Sequence, residues 1–275
     1  MVNQLLRRLP FADYLAIDAV HNSTLKALDL SAKHYSHATR HGRADSTALV
    51  IGRVTHAMIL DDTPPAVAVY EGKVRRGEKW EAFAAEHEGE TILKRDELED
   101  VAAMRAAVLA HPRSAALFAE GEGEVSMVWE QQGIKCKGRL DWLRPCGSWV
   151  ELKTTEAIKP ARFARQAGHF LYHAQIAFYA GGLATITGRE APEPPHLVTV
   201  EKKPPYDVAV YTVEGDAIEA GQRKVDGWLR KLAEARRTGQ WPGVAPDVLR
   251  LELPDYVLTD GLEDVDLSGI EGDDE

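Results

Sequence analysis

The sequence predicts a single α/β domain with a helical N-terminal elaboration. Two observations carry that reading. Apolar residues recur at helical spacing through residue 111, switch to strict alternation over 124–143, and then resolve into two helices, two strands and a long helix. A β-meander set between helical runs is the order expected of layered α/β architecture. The 275 residues, 44% hydrophobic and 28% charged, are also ample to bury a core.

Asn22 or Ser23 is placed to cap a helix running through Leu25, Leu28 and Tyr35. Ser46 or Thr47 caps a second, in which Leu49, Gly52, Arg53, His56 and Leu60 follow i, i+3/i+4 spacing. After Pro64-Pro65, residues 66–70 read as a short strand, and a basic loop from Lys73 to Lys79 leads into a helix holding Trp80 and Phe83. Residues 96–111 are helical up to Pro112, whose ring disfavours helical backbone at His111. Segments 124–131 and 134–143 alternate around Gly133, the signature of a hairpin. Pro145-Cys146-Gly147-Ser148 turns the chain into a strand at 149–153. Helices follow at 160–168 and 172–186, the second closed by Gly188. Strands at 196–201 and 206–212 flank Lys202-Lys203-Pro204-Pro205, and a last helix over 214–238 carries Trp228, Leu229 and Leu232 on its apolar face.

Composition removes several classes. No run of about 18 apolar residues is present, and the first ten residues lack the apolar core of a signal peptide, so a cytoplasmic protein is expected. Two cysteines, Cys136 and Cys146, exclude a disulfide framework and a four-cysteine zinc or iron–sulfur site. The net charge of −10 is concentrated in residues 251–275, which hold ten acids and no Lys or Arg. Residues 1–250 are thus neutral, with 33 acids against 33 bases, and are compatible with nucleic acid. The 251–275 tail has too few apolar side chains to offset the entropy of ordering and is expected to be disordered.

The chemistry concentrates between residues 135 and 155. Asp141 and Glu151 each lie five residues from Cys146, so a hairpin centred there sets the carboxylates opposite one another, roughly 4.5–5.5 Å apart at Cβ. Glu151 and Lys153 share a strand face. Two close carboxylates require a proton or a cation between them, and hard oxygen ligands favour Mg²⁺ or Mn²⁺ over zinc. Lys153 is placed to orient or deprotonate a water. Lys135, Lys137 and Arg139 precede Asp141 at period two, a basic stripe suited to a phosphodiester backbone. Gln175 and Tyr179 are i, i+4 neighbours on one helix face. His56 lies amid apolar residues on a separate helix, where a lone histidine is ordinarily a core residue.

Taken in order, His56, Asp141, Glu151-Leu152-Lys153 and Gln175-xxx-Tyr179 resemble the four motifs of the RecB-like branch of the PD-(D/E)XK nuclease superfamily. The likeness extends to the RecE-type exonucleases over about residues 20–245, through Asn22 to Leu25, Ala48 to His56, Met104 to Pro112, Cys136 to Asp141, Glu151 to Thr155, His173 to Tyr179 and Val200 to Tyr206. The resemblance implies a restriction-endonuclease-like core, a mixed sheet flanked by helices. It implies one nuclease domain over 1–250, with a helical part at about 20–120 and a catalytic core at about 121–245. The implied activity is a Mg²⁺-dependent exodeoxyribonuclease, with Mn²⁺ as a substitute. It would degrade linear duplex DNA 5′-to-3′ and leave 3′ single strands for recombination. Asp141, Glu151 and the Leu152 carbonyl would hold a metal ion, and His56 would hold a second or support the first. Lys153 would activate water and stabilise charge, and Gln175 and Tyr179 would hold the strand or brace the ligands. The implied partners are duplex DNA ends, a single-strand annealing protein and further copies of the chain. A RecB-like endonuclease of defence or repair, and a non-catalytic DNA-binding protein retaining the fold, are the alternatives.

Three signals are set aside. His37-xxx-His41 and His169-xxx-His173 lack the glutamate of a His-Glu-xx-His zinc site. Glu120-Gly-Glu-Gly-Glu124 is acidic and lacks the Gly-Lys-Ser/Thr ending of a phosphate loop. Glu124 opens the hairpin upstream of Asp141, where it is either a third acidic group of the site or, the ordinary reading, a strand-edge residue.

Overall fold

A computed structural model describes residues 3–42, 46–61, 66–156 and 158–258. The chain opens with β1 (Gln4–Leu6), α1 (Phe11–Ala16), β2 (Val20–His21) and the helical turn α2 (Asn22–Leu25), which tightens into a 3₁₀ turn (Lys26–Asp29). Then come α3 (Ala32–His41), α4 (Thr47–Leu60), β3 (Val67–Tyr70), α5 (Glu78–Glu86), β4 (Thr91–Lys94), α6 (Arg95–Ala110) and α7 (Pro112–Phe118). The central strands follow: β5 (Glu122–Gln131), β6 (Ile134–Leu143) and β7 (Trp149–Thr155), then, after α8 (Pro160–His169) and α9 (Tyr172–Thr187), β8 (His196–Glu201) and β9 (Val208–Thr212). Helix α10 (Asp216–Thr238) and the single turn α11 (Asp255–Leu258) complete the described chain. Among the described residues, no helix is long and apolar enough to cross a membrane.

The helix expected from Asn22 through Tyr35 is broken into three pieces. Ser31 is extended, and its Oγ accepts the His34 N–H at 3.2 Å, so a new helix is capped there. Pro112 ends α6 and opens α7 at its first position, where a missing N–H costs nothing.

The main sheet runs β1-β5-β6-β7-β8-β9, with β2 added beside β6, while β3 and β4 form a separate parallel pair. Pairs β5–β6, β6–β7 and β8–β9 are antiparallel, and the α8–α9 crossover makes β7–β8 parallel. Helices cover both faces. One core gathers Met127, Trp129, Leu140, Trp149, Phe178 and Leu229 under α9 and α10. The other gathers Val54, Met104, Val150, Leu152 and Val198 under α4 and α6. Trp149 and Val150 enter opposite cores, as do Leu197 and Val198, which is strand alternation at work.

That regularity fails in one place. One edge of β6 pairs with β5 along its length, but the other is divided: β2 takes Cys136 and Lys137, and β7 takes Trp142 and Leu143. Leu140 belongs to the first core and Trp142 packs on the second, although period two would put them together. Opposite this break Glu124 adopts φ +56° and makes no ladder pair with Asp141.

Candidate active site

The site is assembled at that break from both faces of the sheet. Helix α4 brings His56 from one side, and glycine makes its approach possible: a Cβ on Gly123 would stand 2.1 Å from the Leu60 carbonyl oxygen. His56 Nδ1 lies 3.5 Å from Asp141 Oδ2. The same Asp141 oxygen accepts the Leu152 N–H at 2.8 Å, taking up an amide where β6 and β7 part company. Ligand atoms of His56, Glu124 and Asp141 all lie within 4.8 Å of one another.

Helix α9 supplies the other side. Glu151 Oε1 accepts from Lys153 Nζ at 2.6 Å and from Gln175 Nε2 at 2.6 Å, and Gln175 Nε2 reaches Tyr179 Oη at 3.4 Å. Gly138 leaves room for that tyrosine, since a Cβ there would fall 2.8 Å from its ring. Lys153 Nζ sits 5.2 Å from the centre of the Tyr172 ring. Glu151 is only 2% exposed, and its Oε2 is buried with no hydrogen-bond partner.

Burial and the neighbouring Asp141 charge push the Glu151 carboxyl up to about 7. Burial pushes Asp141 upward too, but His56, Lys153 and the Leu152 amide outweigh it and hold the group below its ordinary value. Burial would lower His56 and Lys153, yet Asp141 raises the first and Glu151 with Asp141 raises the second. Glu124 is raised by burial and by Asp141. Three carboxylates thus share the site with Lys153, Arg139 and the His56 imidazole. The unpartnered Oε2 of Glu151 marks where a proton or metal ion belongs. Carboxylate oxygens joined by one imidazole make a donor set for a metal ion. The residues fit a divalent cation.

The site opens into a cleft of about 700 Å³. Lys26, Arg53, Arg139 and Lys202 line it with Phe11, Phe170 and Tyr172.

His56, Asp141, Glu151, Lys153, Gln175 and Tyr179 therefore converge, and Leu152 joins them through its backbone. The stripe of Lys135, Lys137 and Arg139 does not form a free cationic surface. Lys135 is exposed, but Lys137 is 4% exposed, and its Nζ donates to the carbonyls of Tyr14, Leu15 and Ile17 at 2.9, 3.0 and 2.8 Å. Arg139 pairs with Glu124, donates to the Leu9 carbonyl at 3.2 Å and lies over the rings of Phe11 and Tyr14. The period-two alignment holds, but α1 covers it. Glu124 is no mere strand edge. Counting back through the Gln132-Gly133 turn, which pairs Gln131 with Ile134, places it opposite Asp141 in the sequence itself. His37 and His41 lie on α3 with their rings tilted and 4.4 Å apart, in a separate small cleft with Lys33, Arg40 and Trp241.

Residues 22–248 match the family described as a PDDEXK-like domain of unknown function (DUF3799). A solved structure named a "putative exonuclease", from Eubacterium rectale, aligns with a TM-score of 0.62 at 16% identity, covering 93% of this chain and 100% of that one. At that identity the likeness is one of fold. A second, SSO0001, aligns with a TM-score of 0.30 at 16% identity over 85% of this chain and 88% of its own, too weakly to bear on the architecture. No curated protein matches the sequence.

Proposed function

The chain belongs to the PDDEXK-like family of DUF3799, and from that membership we propose that it is a divalent-cation-dependent deoxyribonuclease acting as an exonuclease on linear duplex DNA. The observation that carries the reading is the convergence of His56 and Asp141 with Glu151, Lys153 and Gln175 around an unpartnered buried carboxylate oxygen. Asp141, Glu151, the Leu152 carbonyl and His56 are the residues that would hold Mg²⁺ or Mn²⁺. A bound ion supplies charge neutralisation and Lewis acidity at a phosphodiester. Gln175 fixes one Glu151 oxygen, and Tyr179 in turn braces Gln175. Lys153, bonded to Glu151, would activate the attacking water and stabilise charge growing on phosphoryl oxygens.

Cutting polarity of 5′-to-3′, 3′ tails destined for recombination, an annealing-protein partner and self-association rest on the resemblance of the motifs to RecE-type enzymes. The deciding experiment incubates the purified chain with linear and with covalently closed duplex DNA, with and without Mg²⁺. We expect Mg²⁺-dependent loss of linear DNA only. Cutting of closed circles would make the protein an endonuclease, and no cutting of either would leave a DNA-binding module. Glu151→Ala should abolish the Mg²⁺-dependent signal, and near-normal turnover by that variant would remove the assignment.

A further inference from the structure

Glu124 belongs to none of the four sequence motifs, yet the sheet is distorted around it. Ladder pairs run on either side, at Gly123↔Trp142 and Val125↔Leu140, and only the Glu124–Asp141 pair is lost. Its φ of +56° is a backbone that side chains with a Cβ avoid, within a strand that is otherwise regular. At this irregularity the carboxylate comes within 4.8 Å of ligand atoms on both His56 and Asp141. Arg139 Nε engages one oxygen, Oε2, and among the described residues no hydrogen bond engages the other. Beside this trio Glu151 keeps a buried oxygen without a partner.

We propose that Glu124 is a metal ligand, forming with His56 and Asp141 a donor set on the α4 side of the site, and that Arg139 competes with the metal ion for its Oε2 oxygen. The inference rests on the cation-dependent reading above and adds a residue to it. Glu124 contributes a hard oxygen that the four-motif pattern does not contain, and its strained backbone is what aims that oxygen.

The test is direct binding of Mn²⁺ to the full chain without DNA, followed by calorimetry and by electron paramagnetic resonance of free Mn²⁺. Glu124→Gln should weaken Mn²⁺ affinity at least about tenfold, the scale on which even supporting residues of metal sites act. Glu124→Asp, which keeps the charge but shortens the reach, should fall between this and wild type. It also stands in if the Gln variant does not fold, as judged by circular dichroism. Arg139→Gln should bind Mn²⁺ no more weakly than wild type, because a competing cation is removed. Unchanged affinity in Glu124→Gln would overturn the proposal, and so would equal weakening in the Glu124 and Arg139 variants, which would make the pair a structural brace. If the wild-type chain itself binds no Mn²⁺, the cation-dependent reading fails with it, an outcome distinct from the other two.

Discussion

Glu151 is held by two donors on one oxygen and by none on the other, and it is a pH-sensitive group of the site. Its carboxyl is raised from 4.5 to about 7, first by burial and then by Asp141. A raised carboxyl pKa favours the folded state while the proton is on. That contribution is complete below the unfolded value and is lost as pH climbs through the folded one. Metal-free wild type should therefore lose stability between about pH 5 and about pH 8 relative to Glu151→Gln, whose amide does not titrate. Melting temperatures of both proteins across that range provide the check, and a difference that stays constant with pH would contradict it. Lys153 makes a second residue-scale prediction. Lys153→Met keeps the aliphatic stem and removes the charge, so cleavage should fall by about 10²-fold or more while DNA affinity changes little. Single-turnover rates alongside binding curves separate the two effects.

Helix α1 and strand β2 are the elements that decide what the basic residues of β6 can do. Lys137 satisfies three carbonyls at the end of α1, so Lys137→Met should cost about 1.5–3 kcal/mol in denaturant unfolding. It should also admit protease between residues 9 and 20, without altering the salt dependence of DNA binding. A flattened salt slope with unchanged stability would return Lys137 to the DNA surface. At the packing of α4 on β5, Gly123→Ala forces a methyl group against the Leu60 carbonyl and should destabilise by about 1–3 kcal/mol or more. The long periodic elements were legible in sequence: α4 with its Ser46 cap, α6, α9 closed by Gly188, α10, and the hairpin of β5 and β6. The register through Cys146 was legible for Trp142 with Val150 and Leu143 with Trp149, but the ladder ends there and the expected Asp141–Glu151 pair is not formed. What sequence could not show included β4 and α7 and, of more consequence for the site, β1, β2 and α1, of three, two and six residues, each too short to display a period. With α1 hidden, Lys137 and Arg139 appeared free. With the left-handed turn of backbone at Glu124 hidden, that residue appeared peripheral.

Across the whole molecule the net charge of −10 is an end effect, and residues 259–275, which carry eight acids, lie outside the described residues. Truncation after Leu258 leaves a net charge of −2 and should raise DNA affinity at low salt, with the gain shrinking as screening shortens the reach of the tail's charge. Affinity unchanged at every salt concentration would show that the tail does not compete with DNA. The divided edge of β6 has a consequence of another kind, in the order of synthesis. Leu5 pairs with Met127 and Val20 with Cys136, so the first strands leave the ribosome more than a hundred residues before their partners exist. At roughly 5–20 residues per second, that interval is on the order of ten seconds. Nascent chains arrested before β6 should be cut by protease within residues 3–21, and chains arrested well after α9 should resist there. Tyr179 is the last member of the constellation to be made, so a polypeptide translated among nucleic acids carries no assembled cutting centre until α9 has left the ribosome.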